Sequence, residues 1–328
     1  MDVRILKEAE IRRLAGPAGA LAAVREAFVK LARGQATLPG VIGLDIPEQQ
    51  GEVHVKGAYL HGSPFYSIKE AAGFYGNAHK GLPVGSGLVL VFDATTGLLR
   101  MILFDNGYLT ELRTGAAGAL AADLLARRDV ETVGIIGSGG QARYQLEALL
   151  GVRRPRRVLV YGRSGPSAAA YAREMSERFG LPVTAVASAR DAVIDSDLVI
   201  STTPSREPIV CAEWVRPGTH ITAVGSDGPD KRELDCAVLA RADLIVADRL
   251  DQCLRLGEIH HAVAEGAIDA GRVYGELGEL AAGRKPGRTT DSQITVADLT
   301  GVGVQDAAMA DLVATAALAD GLGESITV

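Results

Sequence analysis

Cysteine is scarce in this chain, and what there is carries no pattern. Only Cys211, Cys236 and Cys253 occur among 328 residues. They are odd in number, no two form a CxxC pair and none has metal-site spacing, so the sequence predicts reduced thiols and no bound metal. Basic character is lacking as well. The formal net charge is −6, whereas a nucleic-acid binder presents a basic face; mild acidity speaks mainly to solubility. No uninterrupted apolar run approaches the ~18 residues of a membrane span. The stretch from Met1 to Arg13 is charged from the outset, where a secretory signal has an apolar core. Internal repeats and low-complexity linkers are missing too. These absences lead to the expectation of a cytoplasmic protein with neither membrane nor nucleic-acid partners.

What is present is a globular composition, 47% hydrophobic and 23% charged, in a length that suits one or two domains. Apolar residues at helical spacing run over 17–34 and end at Gly34. Residues 53–60, 65–75, 86–93 and 99–105 read as strands, with turn residues between them: His61-Gly62-Ser63-Pro64, Gly76-Asn77 and Thr95-Thr96-Gly97. This is a block of antiparallel strands behind one helix. The texture changes near residue 108. An Ala-rich helix over 109–127 is followed by strands at 132–137, 157–161, 183–186, 198–202, 220–224 and 244–247. They alternate with helices at 140–150, 166–179, 189–194, 212–215 and 232–240, a pattern that argues for a parallel sheet covered on both faces. One more amphipathic helix covers 305–320. The expected fold class is α/β: a Rossmann-type doubly wound parallel sheet over 116–304, plus a smaller antiparallel α+β domain over 1–115 that is completed by 305–328.

The strongest local signal follows the strand Thr132-Val133-Gly134-Ile135-Ile136. It runs into Gly137-Ser138-Gly139-Gly140-Gln141-Ala142 and then into a helix with apolar residues Tyr144, Leu146, Leu149 and Leu150. In strand–loop–helix context, GxGxxA has a mechanical reading. The first Gly permits the tight turn, the second lets a pyrophosphate approach the backbone, and the small third residue lets helix and strand pack closely. The helix N-terminus offers free N–H groups to the phosphates. The next strand ends in Gly162-Arg163-Ser164, with no acidic residue to bond a ribose hydroxyl. Arg163 and Ser164 suit a 2′-phosphate instead, which favours NADP(H) and leaves NAD(H) possible. Thr202-Thr203-Pro204 and Val224-Gly225-Ser226 stand at the ends of later strands, where ligands bind in open α/β sheets.

Polar groups also punctuate the β-patterned region. His54 and Lys56 share one strand face by the period of two, and Lys69 follows in Tyr66-Ser67-Ile68-Lys69. Arg113 enters the Ala-rich helix. A buried Lys suits proton chemistry, and Arg suits a bidentate grip on a carboxylate. Taken with Leu-Arg113-Thr114-Gly-Ala-Ala, GIIGSGGQA, STTP, AVGSDGPDKREL, ELGELAAGRKPGR and ITVADLTGVGVQD, the order of these residues resembles the ornithine cyclodeaminase/mu-crystallin family from about residue 50 to 320. The branch holding iminosuccinate reductase and the ectoine-utilisation cyclodeaminase-like proteins is the most similar.

That resemblance implies an antiparallel dimerisation and substrate domain joined to a Rossmann domain, assembled as a homodimer. It implies that Lys69 is the active-site lysine, that Arg113 holds the substrate carboxylate, that Thr114 and Gly303 lie at the cofactor, and that Asp227 is the acidic residue cyclodeaminases use on the substrate amine. Read without a gap through Lys69, Lys56 stands where ornithine cyclodeaminases carry Glu, and their upstream Arg has no counterpart in 38–44. The implied activity is NAD(P)H-dependent imino-acid reduction or amino-acid oxidation by hydride transfer at the α-carbon. The alternatives are a cyclodeaminase using tightly held NAD and a non-catalytic, crystallin-like NADPH binder. Lys56 with His54 adds positive potential beyond one α-carboxylate, so the expected substrate is dicarboxylic, iminosuccinate giving aspartate.

Overall fold

The computed structural model describes residues 2–328, the side chain of Ala78 excepted. The chain opens with β1 (Asp2–Lys7), α1 (Glu8–Leu14), α2 (Pro17–Ala32), β2 (Ala36–Thr37), β3 (Ile42–Ile46), β4 (Gly51–Leu60), β5 (Phe65–Phe74), β6 (Gly85–Asp93) and β7 (Leu99–Phe104). Then come α3 (Tyr108–Leu125), β8 (Thr132–Ile136), α4 (Gly140–Leu150), β9 (Arg157–Tyr161), α5 (Gly165–Phe179), β10 (Val183–Ala185), α6 (Ala189–Val193), β11 (Leu198–Ser201) and β12 (His220–Ala223). The remainder is α7 (Cys236–Arg241), β13 (Leu244–Ala247), α8 (Leu250–Cys253), α9 (Gly257–Ala264), β14 (Gly275–Glu276), α10 (Leu277–Ala281), β15 (Thr295–Asp298), α11 (Gly303–Asp320) and β16 (Glu324–Thr327). Two compact units result: residues 1–113 with 302–328, and residues 114–301. The sequence alone puts the second boundary at 304/305. In the structure α11 starts at Gly303 and belongs to the first unit from its first turn.

In the first unit the described strands form one sheet, ordered β16-β1-β7-β6-β5-β4-β2 with β3 paired to β4. The long hairpins of β4, β5, β6 and β7 are antiparallel. One pairing departs from the expected all-antiparallel block: β1 lies parallel to β7, with Ile5 opposite Ile102. Its charged residues, Asp2, Arg4 and Lys7, hide this strand from the sequence reading, yet Val3 and Leu6 are buried between them. Helix α2 starts at Pro17, whose fixed φ suits a first turn, and buries Val24, Phe28 and Leu31. Helix α11 packs on β4 and β5. It can come close because Gly303 has no side chain: a Cβ there would stand 2.5 Å from the Gly57 carbonyl oxygen.

The second unit is a parallel sheet ordered β10-β9-β8-β11-β12-β15-β13-β14. Its first five strands follow the 3-2-1-4-5 order of dinucleotide-binding sheets, with the chain reversal between β8 and β11, and the sixth place is taken by β15, the last strand of this unit in chain order. Strands β8, β11, β12, β13 and β15 are buried along their whole length, which is why the first four read as short apolar runs without alternation. Strand β15 enters between β12 and β13, a position that local pattern does not reveal. Residues 232–235, expected as the start of a helix, are extended: Leu234 bridges Val210, and Asp235 caps α7 by accepting from the Ala237 N–H at 3.0 Å.

Candidate active site and cofactor cradle

The first unit gathers its chemistry where α11 meets β4 and β5. Lys56 and Lys69 are direct cross-strand partners, and both are buried, at 5% and 3% exposure. Arg113 on α3 is 5% exposed. Between them lies Asp306 in the first turn of α11. Its Oδ1 is 3.5 Å from the Lys69 Nζ and 3.2 Å from the Arg113 Nε. The Arg113 guanidinium also donates to the Gln305 Oε1 at 2.8 Å. Burial alone would push Asp306 upward, but Lys69, Arg113 and Lys56 together hold its carboxyl below the usual range. Lys69 goes the other way from its own ordinary value. Burial lowers its pKa and Arg113 adds to that, while Asp306 opposes both. The result is a lysine poised to give up a proton more readily than a solvated one, beside a carboxylate that stays charged.

Polar atoms in this cluster lack partners. Asp306 Oδ2, Gln305 Nε2 and Ser67 Oγ are buried and make no hydrogen bond, and such groups cost free energy unless something satisfies them. Gln305 Nε2 can donate to a ligand oxygen, Asp306 Oδ2 can only accept from an N–H or O–H, and Ser67 Oγ can do either, so the site suits a ligand that carries both donors and acceptors. Asp105, buried behind β7, accepts the Leu109 N–H at 2.8 Å at the start of α3, and burial raises its pKa. His54 is half-buried on β4, on the same face as Lys56 and opposite Ala71.

In the second unit the glycine loop has the form its sequence calls for. Gly137 takes φ +109°, and a Cβ there would come within 2.6 Å of the Thr202 Oγ1. At Gly139 a Cβ would meet nothing within 4 Å, so the loop leaves room for a ligand to approach the backbone. Gly139 is also the N-cap of α4, and no side chain caps that terminus. The first-turn N–H groups therefore suit a pyrophosphate. Ala142 is fully buried. These residues fit a dinucleotide: Ser138 to Gln141 would hold its phosphates. Arg143 braces the loop from behind, donating to the carbonyls of Ser138 and Gly139 at 3.0 and 2.9 Å and pairing with Glu174 at 2.6 Å. Gln145 donates to the Thr114 carbonyl at 2.9 Å and ties Thr114 to this helix.

The end of β9 carries Gly162, which must be small because a Cβ would stand 2.6 Å from the Ser138 Oγ. Arg163 and Ser164 follow, both exposed, and the Ser164 Oγ caps α5 by accepting from Ser167. Thr202, Thr203 and Pro204 follow β11, and Val224, Gly225 and Ser226 follow β12, at the carboxyl ends of adjacent strands. The Ser226 hydroxyl is held by the Lys231 carbonyl. Asp227 pairs with Lys231 at 2.8 Å.

The structure thus brings Lys56, Lys69 and Arg113 together in one unit and the expected phosphate and strand-end residues together in the other, where Asp227 also lies. Gly303, expected at the cofactor, belongs to the first unit and packs closely on the Gly57 backbone. Asp306, Gln305, Arg143 and Glu233 are the polar residues that sequence reasoning missed. Asp306 closes the GVGVQD run, yet an Asp in a first helical turn reads equally well as a complement to the helix dipole. The cysteines offer no nucleophile. Burial raises the pKa of Cys253, and that of Cys236 is pushed up to about 11. No helix of the described residues is long and apolar enough to cross a membrane, and among them no group of His, Cys, Asp and Glu side chains is set to hold a metal.

Comparison with known proteins agrees with this architecture. The model of the ornithine cyclodeaminase/mu-crystallin family matches residues 2–321. This chain belongs to that family. Among solved structures, an archaeal alanine dehydrogenase dimer with bound NAD superposes with a TM-score of 0.93 at 38% identity, covering 100% of this chain and 99% of that one. The Δ1-pyrroline-2-carboxylate reductase of Thermococcus litoralis, in complex with NADH and L-proline, gives 0.95 at 34% identity over 99% and 100%. The iminosuccinate reductase of Paracoccus denitrificans, in complex with NAD+, gives 0.90 at 32% identity over 100% of both chains.

Proposed function

We propose that this chain is an NAD(P)H-dependent oxidoreductase acting on C–N bonds, reducing a small imino acid to the amino acid or running the reverse reaction. The observation that carries the reading is the buried triad of Lys69, Arg113 and Asp306. The first unit would hold the substrate and the second the dinucleotide. When bound, a reduced nicotinamide supplies the hydride that the carbon of a C=N bond accepts. Arg113, fixed by Asp306 and Gln305, grips the α-carboxylate. Lys69, with its lowered pKa, gives a proton to the imine nitrogen, since a protonated imine accepts hydride more readily. Asp306 remains ionised and keeps Lys69 and Arg113 in place.

The charge balance bears on the substrate. Lys56, Lys69 and Arg113 share the cluster with two buried carboxyl groups, Asp306 and, through Lys69, Asp105, so cations outnumber acids there by one. Asp306 takes part of the potential that the sequence assigns to a substrate. What is left still suits a dicarboxylic imino acid such as iminosuccinate, and it is hostile to the distal ammonium of a diamine, the substrate an ornithine-type cyclodeaminase would need. At the end of β9, Arg163 without an acidic neighbour favours NADP(H) over NAD(H).

A second copy of the chain is the expected partner. Ile68 alternates with the buried Ser67 and Lys69 and so points to the opposite face of the sheet. There it lies opposite Leu90, which lies opposite Ile102. Ile42, Leu44, Ile68 and Phe104 are exposed on this unit, an apolar surface that association would cover. Reduced thiols and a soluble nicotinamide cofactor fit a cytoplasmic enzyme. The test is a panel of 2-keto acids with ammonia, following absorbance of the reduced nicotinamide. Consumption in step with amino-acid product is expected. Conversion of ornithine to proline with no net consumption would overturn the reductase reading.

A further inference from the structure

Glu233 is fully buried and lies outside any helix or strand. Its side chain gathers three donors from two different loops. One oxygen accepts the Thr203 N–H at 2.5 Å. The other accepts the Ser201 hydroxyl at 2.7 Å and the Gly225 N–H at 2.9 Å. Ser201 and Thr203 flank the carboxyl end of β11, and Gly225 lies just past the end of β12. Gly225 has to be glycine for this to work, because a Cβ would stand 2.5 Å from the Thr203 nitrogen and 2.7 Å from the Glu233 Cδ.

Glu233 is itself held rigidly. Its carbonyl accepts from Ile209 and Val210 at 2.7 and 2.9 Å. Its N–H and that of Leu234 both donate to the buried Glu258 on α9, at 2.8 and 3.0 Å. One carboxylate therefore orients the next, which orients the loops.

Strands β11 and β12 lie on one side of the chain reversal beside β8, and β9 and β10 lie on the other. In a sheet of this order the dinucleotide spans the reversal, with one nucleotide on each half. The adenosine side belongs to the β9 end, so the β11 and β12 loops face the nicotinamide side. We infer that Glu233 is a positioning residue for the nicotinamide half of the cofactor, clamping the Thr203 and Gly225 loops in the form that this half requires. The inference rests on the reading of the second unit as a nicotinamide-dinucleotide site. Only a carboxylate suits the task. Three donors converge on it, and an amide would turn its NH2 toward at least one of them.

Glu233→Gln tests this on the full chain, without reference to turnover. Two affinities are measured by titration. One is for whichever reduced dinucleotide wild type binds more tightly, NADPH or NADH. The other is for the matching adenosine-side fragment, 2′,5′-ADP or 5′-AMP. The variant should bind the dinucleotide about tenfold more weakly, the loss of a charged hydrogen bond, and the fragment within about twofold of wild type. Amide hydrogen exchange at Thr203 and Gly225 should quicken, while that of β8 stays protected. Ser201→Ala removes one donor and leaves Glu233 in place. It should weaken the dinucleotide alone, by about threefold, and it carries the test if Glu233→Gln does not fold. Equal weakening of dinucleotide and fragment, or unchanged dinucleotide affinity in the folded variants, overturns the inference. A wild-type protein that binds neither dinucleotide nor fragment overturns the cofactor reading itself.

Discussion

Lys56 and Lys69 face each other directly across the β4–β5 ladder, both buried. Like charges in that relation destabilise a sheet unless something intervenes. Here the intervening group is Asp306, which reaches Lys69 at 3.5 Å and whose own ionisation is favoured by Lys56. The arrangement keeps two lysines and a carboxylate buried together in the middle of a sheet.

Asp306→Asn is the direct probe of that arrangement. It leaves Lys69 and Arg113 buried without their anion, which costs about 3–5 kcal/mol in comparable buried pairs. Thermal unfolding should show a clear loss of stability. The catalytic consequence has a definite sign. Asp306 is the largest influence raising the Lys69 pKa against burial, so its removal lowers that pKa further. On the proposed mechanism reduction needs protonated Lys69, and the alkaline limb of the kcat/KM profile should therefore move toward lower pH. A limb that stays in place would remove Lys69 as the proton donor.

Much of this was legible in the sequence, and the residues show why. The glycine loop announces itself because Gly137, Gly139 and Ala142 each answer a separate steric demand within six consecutive positions. Lys69 and Arg113 stand out as charges inside apolar surroundings. Asp306 and Glu233 do not stand out, because their roles depend on partners 193 and 30 residues away. Glu233 was further hidden by the local pattern of 232–240, which reads as one helix. The bridge between Leu234 and Val210 overrides that propensity and turns the segment into the clamp. Strand β15 escapes for a related reason: its buried Asp298, which accepts the Ile259 N–H from a helix 39 residues away, breaks the apolar run that marks its neighbours.

The second unit also holds a run of buried acids, Glu233, Glu258, Asp298 and Asp248. Burial pushes Asp298 up to about 8 and raises Glu258 and Asp248, and it pushes Glu233 up to about 7, so the three-donor clamp on Glu233 is ionised above that pH. A carboxyl whose folded pKa is raised contributes stability that is fully present below its unfolded value and is lost as pH rises through the folded one. Stability should therefore fall as pH rises from the ordinary carboxylate range, about 4, through the folded values of about 7 and about 8. Lys69, with a lowered pKa, pushes the opposite way, so the comparison is made against Glu258→Gln, which leaves Lys69 untouched. Denaturant unfolding of the variant should depend less steeply on pH over this range than wild type. Parallel curves would mean that the acids shed no protons there.

The proposed preference for NADP(H) rests on Arg163. The residue is exposed directly after Gly162, and no acidic side chain shares that strand end. Arg163→Asp replaces a phosphate partner with an acceptor for ribose hydroxyls. The ratio of NADPH to NADH affinity should shift toward NADH by about tenfold or more, a charged hydrogen bond being worth ~1.5–3 kcal/mol. A wild type that already prefers NADH, with little response to the substitution, would contradict the assignment of Arg163 to a 2′-phosphate.

The proposed dicarboxylic substrate rests on Lys56. If its ammonium meets a side-chain carboxylate, the enzyme prefers a C4 dicarboxylic imino acid to the neutral C3 analogue, because the missing carboxylate leaves a buried charge unpaired. Lys56→Met should then collapse that preference, lowering kcat/KM on iminosuccinate by roughly tenfold to a hundredfold and leaving iminopropionate nearly unchanged. Lys69→Met should depress turnover of both, since its role is in the chemistry they share. The structure also supplies the rival account. Lys56 stands close enough to Asp306 to influence its ionisation, and a lysine serving only to balance that carboxylate would matter equally for every substrate. Measuring both variants on both imino acids separates the two. A selective loss assigns Lys56 to the substrate's second carboxylate. An equal loss assigns it to Asp306, and the dicarboxylate reading then falls while the reductase reading stands.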